Sequence, residues 1–285
     1  MSTQPTRTAA GRVWLVTGSS AGFGRAITEA AVAAGDTVVA TARRPEALDD
    51  LAAAHPGRVV PVQLDVTDPD RVQAVVAEAL LWYGRIDVLV NNAGRGHLGA
   101  VEETTDAELR SLMDLHVFGP ANLVRAALPH MRARRSGAIV QLSSMGGRTS
   151  FPGVGAYSAT KFALEGLSVA LAAEVRPHGV DVLIVEPSAF RTSFAGGVHS
   201  ESAPVAGYEE TVGPFRASFA ASDGNQPGDP AKAAAAILEA LAAEEVPLRL
   251  ALGGTAVDRI RESLKEQEAE LDAWEHVSRA TDFDR

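Results

Sequence analysis

The feature that most restricts how this chain can fold is the alternation of strand-length apolar runs with helical segments. The apolar runs lie at residues 12–18, 37–42, 58–66, 86–94, 137–144, 180–188 and 247–254. The helical patterns lie at residues 25–35, 45–55, 69–84, 104–135, 157–176 and 230–243. Strands that are apolar on both faces and joined by helices are typical of a parallel sheet covered on both sides. The sequence therefore predicts an α/β fold: a doubly wound parallel sheet of about seven strands with helices on both faces.

Local signals place the ends and bends of some of these elements. Asp68, or alternatively Thr67, is in position to cap the third helix. The long helix at 104–135 contains a Gly-Pro pair at 119–120, which favours a bend there. No long linker interrupts the alternation, so the prediction is a single domain over residues 1–285.

Three regions depart from the alternation. Residues 1–10 are polar and are expected to form a flexible tail. Residues 188–229, called here the substrate segment, are rich in small residues without a clear period. Long irregular segments in compact domains commonly cover ligand sites, with a passive surface loop as the alternative. Residues 255–285 predict a charged amphipathic helical extension, which packs on its own domain, closes over the pocket or joins another subunit.

Composition and charge argue against several classes of protein. The chain has 285 residues, a formal net charge of −10 and no cysteine. An acidic surface repels nucleic acid and anionic membranes, so we expect neither as a partner. The start of the chain lacks the apolar core of a signal peptide, and no stretch has the roughly 20 apolar residues of a membrane span. The histidines show no metal-ligand spacing, so we expect no metal. The absence of cysteine is typical of a reducing compartment, so we expect a cytoplasmic protein.

A glycine-rich turn lies between the first strand and the first helix, in the stretch LVTGSSAGFGRAI at residues 15–27. Gly18, Gly22 and Gly24 allow a diphosphate to approach backbone N–H groups at a helix N-terminus, which side chains would block. Glycines that serve only packing are the alternative. The position of the turn predicts a dinucleotide site.

The end of the second strand distinguishes between two dinucleotides. Sites for NAD usually carry an acidic residue there, which binds the ribose hydroxyl groups. This chain instead has Arg43 and Arg44. A guanidinium group suits a 2′-phosphate by charge and by bidentate geometry. The sequence therefore favours NADP, with NAD as the alternative.

With these residues placed, the chain resembles the short-chain dehydrogenase/reductase family in its single-domain, Rossmann-fold form. The resemblance rests on TGSSAGFG (17–24), LDV (64–66), NNAG (91–94), LSSMGG (142–147), YSATK (157–161) and EPSAFRT (186–192). It implies the following cofactor-binding residues: Gly18, Ser20, Gly22, Phe23, Gly24, Arg43, Arg44, Asp65, Val66, Asn92, Ala93, Gly94, Tyr157, Lys161, Pro187 and Thr192. Asp65 would accept from the adenine amino group, and Thr192 would bond the nicotinamide carboxamide.

Tyr157 and Lys161 lie four residues apart, so they are neighbours on one face of a helix. The resemblance implies that Tyr157 is the general acid or base at a carbonyl or hydroxyl group. A phenol has a pKa near 10, and a nearby ammonium group lowers it, so we expect Lys161 to lower the pKa of Tyr157. Ser144, rather than Ser143, matches the family serine that hydrogen-bonds the substrate oxygen.

Two positions depart from the family pattern. Ser188 stands where a glycine usually follows the proline, from which we expect only a small shift. His116 stands at the fourth catalytic position, where relatives have an asparagine whose backbone carbonyl holds a water near the lysine. An imidazole can carry protons, so His116 is a candidate catalytic residue; a space-filling histidine is the alternative.

The resemblance implies an NADP-dependent oxidoreductase that transfers a hydride between nicotinamide and an alcohol or ketone. The alternatives are a non-catalytic dinucleotide-binding regulator or scaffold and, with less support, an epimerase or dehydratase. Five apolar residues are candidates for lining a hydrophobic substrate pocket or for anchoring the segment on the core: Phe151, Val154, Phe190, Phe194 and Phe215. The family also implies a homodimer or homotetramer formed through the helices at 104–135 and 157–176.

Overall fold

A computed structural model describes residues 11–194, 197 and 199–283; the predicted tail at residues 1–10 lies outside this range. Seven strands form one parallel sheet in the order β3-β2-β1-β4-β6-β7-β9, and β5 pairs with β8 in a two-stranded parallel sheet. The strands are β1 Val13–Thr17, β2 Thr37–Ala42, β3 Val59–Gln63, β4 Val88–Asn91, β5 Gly96–Leu98, β6 Gly137–Leu142, β7 Val180–Pro187, β8 His199–Glu201 and β9 Arg249–Leu252. The predicted seven-stranded, doubly wound α/β fold is confirmed.

Helices connect consecutive strands of the main sheet and cover both of its faces, and the last helix follows the last strand. They are α1 Gly22–Ala33, α2 Asp49–Ala54, α3 Pro69–Tyr83, α4 Asp106–Met113, α5 Gly119–Arg134, α6 Gly155–Val175, α7 Gly213–Ala221, α8 Pro230–Ala242 and α9 Gly254–Arg279. Among the described residues, none of the helices is long and apolar enough to cross a membrane.

The core consists of two apolar layers, one on each face of the main sheet. All five residues of β1 are buried, because Trp14 and Val16 face one layer and Leu15 faces the other. Helices α1 and α8 cover the first layer, and α3 and α5 cover the second. Burial on both faces explains why the strands are nearly continuous apolar runs. The carboxyl ends of the strands therefore lie together at one edge, where ligands bind in such sheets.

The predicted caps and bends have a structural basis. Asp68, not Thr67, caps α3, and its Oδ1 accepts from the backbone N–H groups of Asp70 and Arg71 at 3.0 Å. The long helix predicted at 104–135 is interrupted by a π-helical turn at Asp114–Phe118, directly before the predicted bend. Such turns occur often at functional sites, and this one contains His116.

The substrate segment is more ordered than the sequence suggested, whereas the predicted helical extension is confirmed. The substrate segment contains β8 and α7, and β8 joins it to the body of the domain by pairing with β5. The helical extension begins at Gly254 and continues to Arg279. Only its first turns pack on the domain, where Ala256 and Ile260 are buried, so most of α9 projects from the body.

Candidate active site

The turn between β1 and α1 has the shape needed to bind a diphosphate. Gly18 and Gly22 adopt positive φ angles of 68° and 55°. A methyl group on Gly24 would overlap the carbonyl oxygen of Gly18, and one on Gly22 would lie 3.3 Å from Thr192. Ser20 is exposed in the turn. Without side chains, the glycines leave the N–H groups of the helix N-terminus accessible and let the turn pack closely on its neighbours. The turn therefore fits the dinucleotide predicted from the sequence.

Thr17, at the end of β1, joins the glycine turn to the loop after β4. Its Oγ1 donates to Val90 O (3.1 Å) and accepts from the N–H groups of Asn92 (2.9 Å) and Ala93 (3.0 Å). The Asn92 side-chain amide donates to Thr17 O (2.8 Å) and Gly18 O (3.2 Å). These bonds hold two predicted cofactor segments together. The sequence analysis assigned no role to Thr17, although it is the first residue of the TGSSAGFG motif.

The predicted adenosine end of the site lies beyond β2 and β3. Val66 is buried and Asp65 is exposed. Asp65 Oδ1 accepts from the Thr67 N–H (3.0 Å) and hydroxyl (2.8 Å), which orients the carboxylate. Arg43 and Arg44 are exposed, and their guanidinium groups form no hydrogen bond or ion pair with any described residue. Both arginines are therefore available to bind an anion.

The predicted catalytic side chains Ser144, Tyr157 and Lys161 meet at the carboxyl end of β6. Lys161 is buried, and its ammonium group donates to Leu142 O at 2.8 Å. The same nitrogen lies 5.6 Å from the centroid of the Tyr157 ring. The Ser144 hydroxyl is hydrogen-bonded with Tyr157 and accepts from the Gly146 N–H at 2.9 Å. Tyr157 thus has a hydroxyl partner on one side and a cation on the other.

The expectation of a lowered pKa for Tyr157 is wrong in this structure. Burial raises the pKa of Tyr157 to about 12, and the hydrogen bond with Ser144 only partly opposes that rise. Burial also lowers the pKa of Lys161 to about 8, against the attraction of Glu165. Loss of water disfavours the charged form of each group, and the ammonium is directed at Leu142 O. The phenol is therefore protonated at neutral pH.

A buried cluster of charges lies behind Lys161. Arg249 Nε is 3.2 Å from Glu165 Oε2 and 3.3 Å from Glu186 Oε1, and Arg148 Nη1 is 3.0 Å from Glu186 Oε1. Burial raises the pKa of Glu165, and the neighbouring Glu186 carboxylate raises it further. Ser143 Oγ is buried without a hydrogen-bond partner among the described residues, whereas Ser144 lies beside Tyr157. The sequence did not reveal the cluster, because its members come from separate elements.

His116 is buried, 1% exposed, between the loop after β4 and helix α6. Its Nε2 accepts from the Arg95 N–H at 3.1 Å, and its Nδ1 is 2.8 Å from Thr160 Oγ1. Thr160 Oγ1 donates to Tyr157 O at 2.7 Å, so Nδ1 carries the imidazole proton and donates to Thr160. Burial, followed by the charges of Lys161 and Arg95, lowers the pKa of His116 well below its usual value.

Both nitrogens of the neutral His116 ring are therefore engaged. The ring also stands perpendicular to that of Tyr157, with centroids 5.7 Å apart, and Nε2 lies close to Gly94. His116 thus joins the loop after β4, which is part of the predicted cofactor site, to helix α6, which carries Tyr157 and Lys161. Its hydrogen bonds leave no nitrogen pointing at Lys161.

The predicted nicotinamide end of the site follows β7. Pro187 is buried at the end of that strand. Ser188 donates from its N–H (3.0 Å) and its hydroxyl (3.3 Å) to Leu252 O, which holds it against β9. Thr192 Oγ1 accepts from the Phe194 N–H at 3.3 Å. The serine in place of the family glycine is thus accommodated by the neighbouring strand.

Aromatic rings extend from Tyr157 into the substrate segment. The Phe194 centroid lies 6.0 Å from that of Tyr157 and 6.3 Å from that of Phe219. Phe215 is 6.0 Å from Phe219 and 5.0 Å from Phe151. This aromatic cluster gives the tyrosine an apolar surrounding on the side of the substrate segment. Phe219 was missed in the sequence because it lies in a helix that the composition did not predict.

One predicted pocket residue lies elsewhere. Phe190 is buried in the core, and its ring packs against Phe23 with centroids 5.0 Å apart. A methyl group on Gly228 would overlap the same ring. Phe190 therefore joins the substrate segment to the glycine turn, as the anchoring alternative supposed. Val154 is also buried, directly before α6.

A buried ion pair attaches the substrate segment to the body of the domain. Glu103 Oε2 accepts from Arg216 (2.8 Å) and from the Ala100 N–H (2.6 Å), and its Oε1 accepts from the Val205 N–H (3.0 Å). The Glu103 side chain is 1% exposed. One carboxylate thus joins the loop after β5 to two parts of the substrate segment.

A second polar attachment accompanies the pairing of β5 with β8. His97, which is buried, has Nδ1 2.9 Å from Ser200 Oγ and Nε2 3.0 Å from Ser202 Oγ. Ser202 donates to Glu108 at 3.1 Å. Burial lowers the pKa of His97. His97 therefore connects the strands of the small sheet. Both of its ring nitrogens are bonded to serines, so neither is free to interact with Tyr157.

Sequence comparison assigns this chain to a known family. Residues 12–203 match the family description "short chain dehydrogenase". Oxidoreductase BOA17 of Botryotinia fuckeliana is 38% identical over 271 residues, covering 95% of this chain and 99% of that protein. A 3-ketodihydrosphingosine reductase of Bacteroides thetaiotaomicron is 40% identical over 183 residues, covering 64% of this chain and 65% of that protein.

Solved structures agree with the sequence match. A short-chain dehydrogenase from Streptomyces avermitilis has a TM-score of 0.92 and 61% identity, covering 96% of this chain and 99% of that one. A family member from Burkholderia phymatum in complex with NAD has a TM-score of 0.81 and 25% identity, with 94% and 97% covered. A metagenomic family member in complex with NADP has a TM-score of 0.67 and 29% identity, with 85% and 97% covered. The chain is an oxidoreductase that belongs to the short-chain dehydrogenase/reductase family.

Proposed function

We propose that this protein is an NADP-dependent carbonyl reductase or alcohol dehydrogenase that uses Tyr157 as its general acid or base. The observation that carries the proposal is the convergence of Ser144, Tyr157 and Lys161 at the carboxyl end of β6. A bound nicotinamide dinucleotide supplies or accepts the hydride at the substrate carbon. The side chains described above orient the reactants and exchange the proton on oxygen.

In the reducing direction Tyr157 donates its proton to the developing alkoxide. Its pKa of about 12 keeps the phenol protonated at neutral pH, so the acid form is available. The Ser144 hydroxyl, beside the phenol, donates a second hydrogen bond to the same substrate oxygen. The aromatic cluster excludes water from one side of the site and strengthens these bonds.

Lys161 stabilises the phenolate that remains once Tyr157 has donated its proton. Its ammonium group is held 5.6 Å from the ring centroid by the bond to Leu142 O. Since burial lowers the pKa of Lys161 to about 8, the amine loses its charge as pH rises through that value. We therefore expect kcat/KM for reduction to fall above about pH 8. A flat profile between pH 7 and 10 would exclude this role.

The cofactor would be held along the carboxyl edge of the sheet. The glycine turn, with Ser20 and Phe23, would bind the diphosphate, and Asp65 with Val66 would contact the adenine. Asn92, Ala93 and Gly94 would lie against the ribose and nicotinamide, with Lys161 reaching the ribose hydroxyl groups. Pro187 and Thr192 would hold the carboxamide.

The preference for NADP rests on Arg43 and Arg44. Both lie at the end of β2, and neither guanidinium group has a partner among the described residues. Relatives bind NAD or NADP, so the distinction has to come from this chain. A charge-assisted contact contributes about 1.5–3 kcal/mol, so Arg43→Asp should weaken NADP binding by roughly ten- to a hundredfold. NAD binding, measured on the same variant, should change little; equal losses for both would refute the preference.

Tyr157→Phe tests the catalytic assignment. We expect kcat/KM to fall by about 10²–10⁴-fold, because the proton donor is lost while the ring and its contacts remain. NADPH oxidation with a broad panel of ketones is the assay, and the thermal unfolding transition checks the fold. Tyr208→Phe, which removes a hydroxyl bonded to Glu102, is the matched control. Full activity in Tyr157→Phe would overturn the mechanism.

The aromatic cluster favours a hydrophobic ketone or alcohol as the substrate. The name of the Bacteroides relative states that it reduces a ketone. A non-catalytic regulator remains the second candidate, and the same panel discriminates: binding of NADPH without any turnover would favour it. The intact arrangement of Ser144, Tyr157 and Lys161 supports the enzyme.

We also propose that the protein is a homo-oligomer. Phe118 in the π-helical turn is 55% exposed, and Phe162 and Val169 on α6 are exposed as well. Exposed apolar side chains on these helices suit a protein interface. They lie on the segments that the family resemblance implies for subunit contact. Light scattering that gives the mass of a single chain would refute the proposal.

A further inference from the structure

The buried ammonium group of Lys161 is not bound directly by any carboxylate. Its hydrogen bond goes to the neutral carbonyl of Leu142, and it forms no ion pair with any described residue. A cation that has lost its water is costly to bury unless an opposite charge compensates it. The proposed function nevertheless requires Lys161 to be charged when Tyr157 releases its proton. The compensating charge must therefore act from beyond contact distance.

Few of the groups around Lys161 carry the negative charge that this compensation needs. Titratable side chains on this part of α6, and on the loops, turns and strands beside it, are Arg95, His97, His116, Arg148, Tyr157, Glu165, Glu186 and Arg249. Burial disfavours the charged forms of the two histidines and the tyrosine, and the arginines are positive. Within this set the candidates are the two carboxylates.

The two carboxylates differ in how far their charges are already balanced. Glu186 Oε1 lies 3.0 Å from Arg148 Nη1 and 3.3 Å from Arg249 Nε, so two cations oppose one negative charge. Glu165 Oε2 lies 3.2 Å from the same Arg249 Nε, whereas its Oε1 is buried without a hydrogen-bond partner among the described residues. Glu165 therefore keeps more of its charge uncompensated.

Glu165 also lies one helical turn from Lys161, on the same face of α6. The turn after β6 packs closely on both residues, because a methyl group on Gly147 would lie 3.1 Å from Glu165 Cγ and 3.2 Å from Lys161 O. Charges act more strongly on each other where packing excludes water. Burial lowers the pKa of Lys161, and Glu165 is the group that opposes this change.

We propose that Glu165 is a positioning residue whose carboxylate, held by Arg249 from β9, keeps Lys161 in the ammonium form that stabilises the phenolate of Tyr157. The inference rests on the proposed function, since the role of Lys161 in that function depends on its charge. Without the Glu165 carboxylate the amine would lose its proton at a lower pH. The fall of kcat/KM for reduction at alkaline pH would then begin at a lower pH as well.

The charge of Lys161 can be measured directly, because Lys161, Lys232 and Lys265 are the three lysines of the chain. Lys232 and Lys265 are exposed, so NMR of the full chain with lysine labelled at Cε should distinguish the buried residue from two references. In Glu165→Gln we expect the midpoint of the Lys161 titration to fall by roughly 1 pH unit, because a nearby opposite charge is lost. An unchanged midpoint would overturn the proposal.

Glu174→Gln is the matched control for this titration. It removes an exposed carboxylate from the far end of the same helix, so the midpoint of Lys161 should stay where it is. If Glu165→Gln does not fold, its combination with Arg148→Gln keeps the cluster electrically balanced and should show the same lowered midpoint. An equal fall of the midpoint in Glu174→Gln would overturn the specific role of Glu165.

The pH profile of kcat/KM for ketone reduction by NADPH separates positioning from a purely structural role. In Glu165→Gln the alkaline fall should move to lower pH by the same amount as the NMR midpoint, and Glu165→Asp, which keeps the charge, should largely restore it. A loss of kcat/KM that is equal at every pH would overturn the proposal. A lowered midpoint in a protein that reduces no ketone would instead overturn the proposed function and support the electrostatic link between Glu165 and Lys161.

Discussion

The two halves of the site are attached to the fold in different ways. On the predicted cofactor side, most contacts involve the backbone. Gly24 packs on the backbone of Gly18, and Thr17 Oγ1 accepts from two N–H groups of the loop after β4. On the substrate side, side chains make the attachments, through the Glu103–Arg216 ion pair, His97 and the aromatic cluster. Where backbone packs on backbone, there is no room for a larger residue. Where side chains make the contacts, single substitutions can replace one contact and leave the others in place. We therefore expect substitutions to be tolerated more readily on the side of the substrate segment than in the glycine turn.

The largest expected effect comes from Gly24→Ala. The new methyl group would overlap Gly18 O and approach Asn92 Nδ2 at 2.5 Å, so the turn must open. We expect a loss of about 3 kcal/mol of unfolding free energy, from urea denaturation, together with a loss of NADP binding. Gly166→Ala in α6 is the matched control. A methyl group there meets nothing within 4 Å, so stability should rise by roughly 0.5–1 kcal/mol.

Glu103→Ala should have the next largest effect on function, because it leaves the glycine turn intact, although its cost in stability is at least as large. It leaves the Arg216 guanidinium without its carboxylate and the N–H groups of Ala100 and Val205 without an acceptor. Breaking a buried pair costs about 3–5 kcal/mol, here concentrated in the attachment of the substrate segment. Amide hydrogen exchange should quicken in that segment and stay unchanged in β1. Arg110→Ala, which breaks an exposed pair with Asp106, should leave exchange unchanged everywhere.

His116 joins the loop after β4 to helix α6, and its contribution to the free energy of unfolding should depend on pH. Its pKa in the folded protein lies well below 6.5, so the unfolded chain binds the extra proton first as the solution is acidified. Stability should therefore fall below about pH 6.5, by up to about 1.4 kcal/mol per pH unit from this group. His116→Asn has no titrating group and should show a shallower decline in urea denaturation between pH 6.5 and 5. Identical slopes would show that His116 is not held neutral.

Phe219→Leu should have the smallest effect. It keeps an apolar side chain but loses the ring contacts with Phe194, Phe215 and His199. Such contacts contribute about 0.5–1 kcal/mol, so KM for an aromatic ketone should rise roughly two- to fivefold with kcat nearly unchanged. Phe118→Leu, outside the aromatic cluster, should leave KM unchanged. A fall in kcat comparable to that of Tyr157→Phe would show that the cluster positions the tyrosine itself.

The sequence predicted those parts of the site that are contiguous in the chain. The glycine turn at 17–24 and the helix with Tyr157 and Lys161 depend on local spacing, so their elements follow from periodicity. The choice of Ser144 over Ser143 also follows the spacing of the family motif, and the structure has Ser144 beside Tyr157. The strands were recognisable because burial on both faces requires unbroken apolar runs.

Other features were not predictable because they join distant positions. Glu103 and Arg216 are 113 residues apart, and His97 and Ser202 are 105 apart. Nothing near Phe190 indicated that its ring would pack on Phe23 instead of lining the pocket. The raised pKa of Tyr157 also depends on which atoms displace water around the hydroxyl, which no local pattern records.

By itself, the sequence determined the order of strands and helices, the glycine turn and the neighbouring positions of Tyr157 and Lys161, since hydrophobic period and helical spacing are local properties. The tertiary structure alone decided the protonation of those two groups, the neutral bridging tautomer of His116 and the side-chain attachments of the substrate segment. Burial and hydrogen bonding set these properties, and both arise only when residues far apart in the chain are packed together.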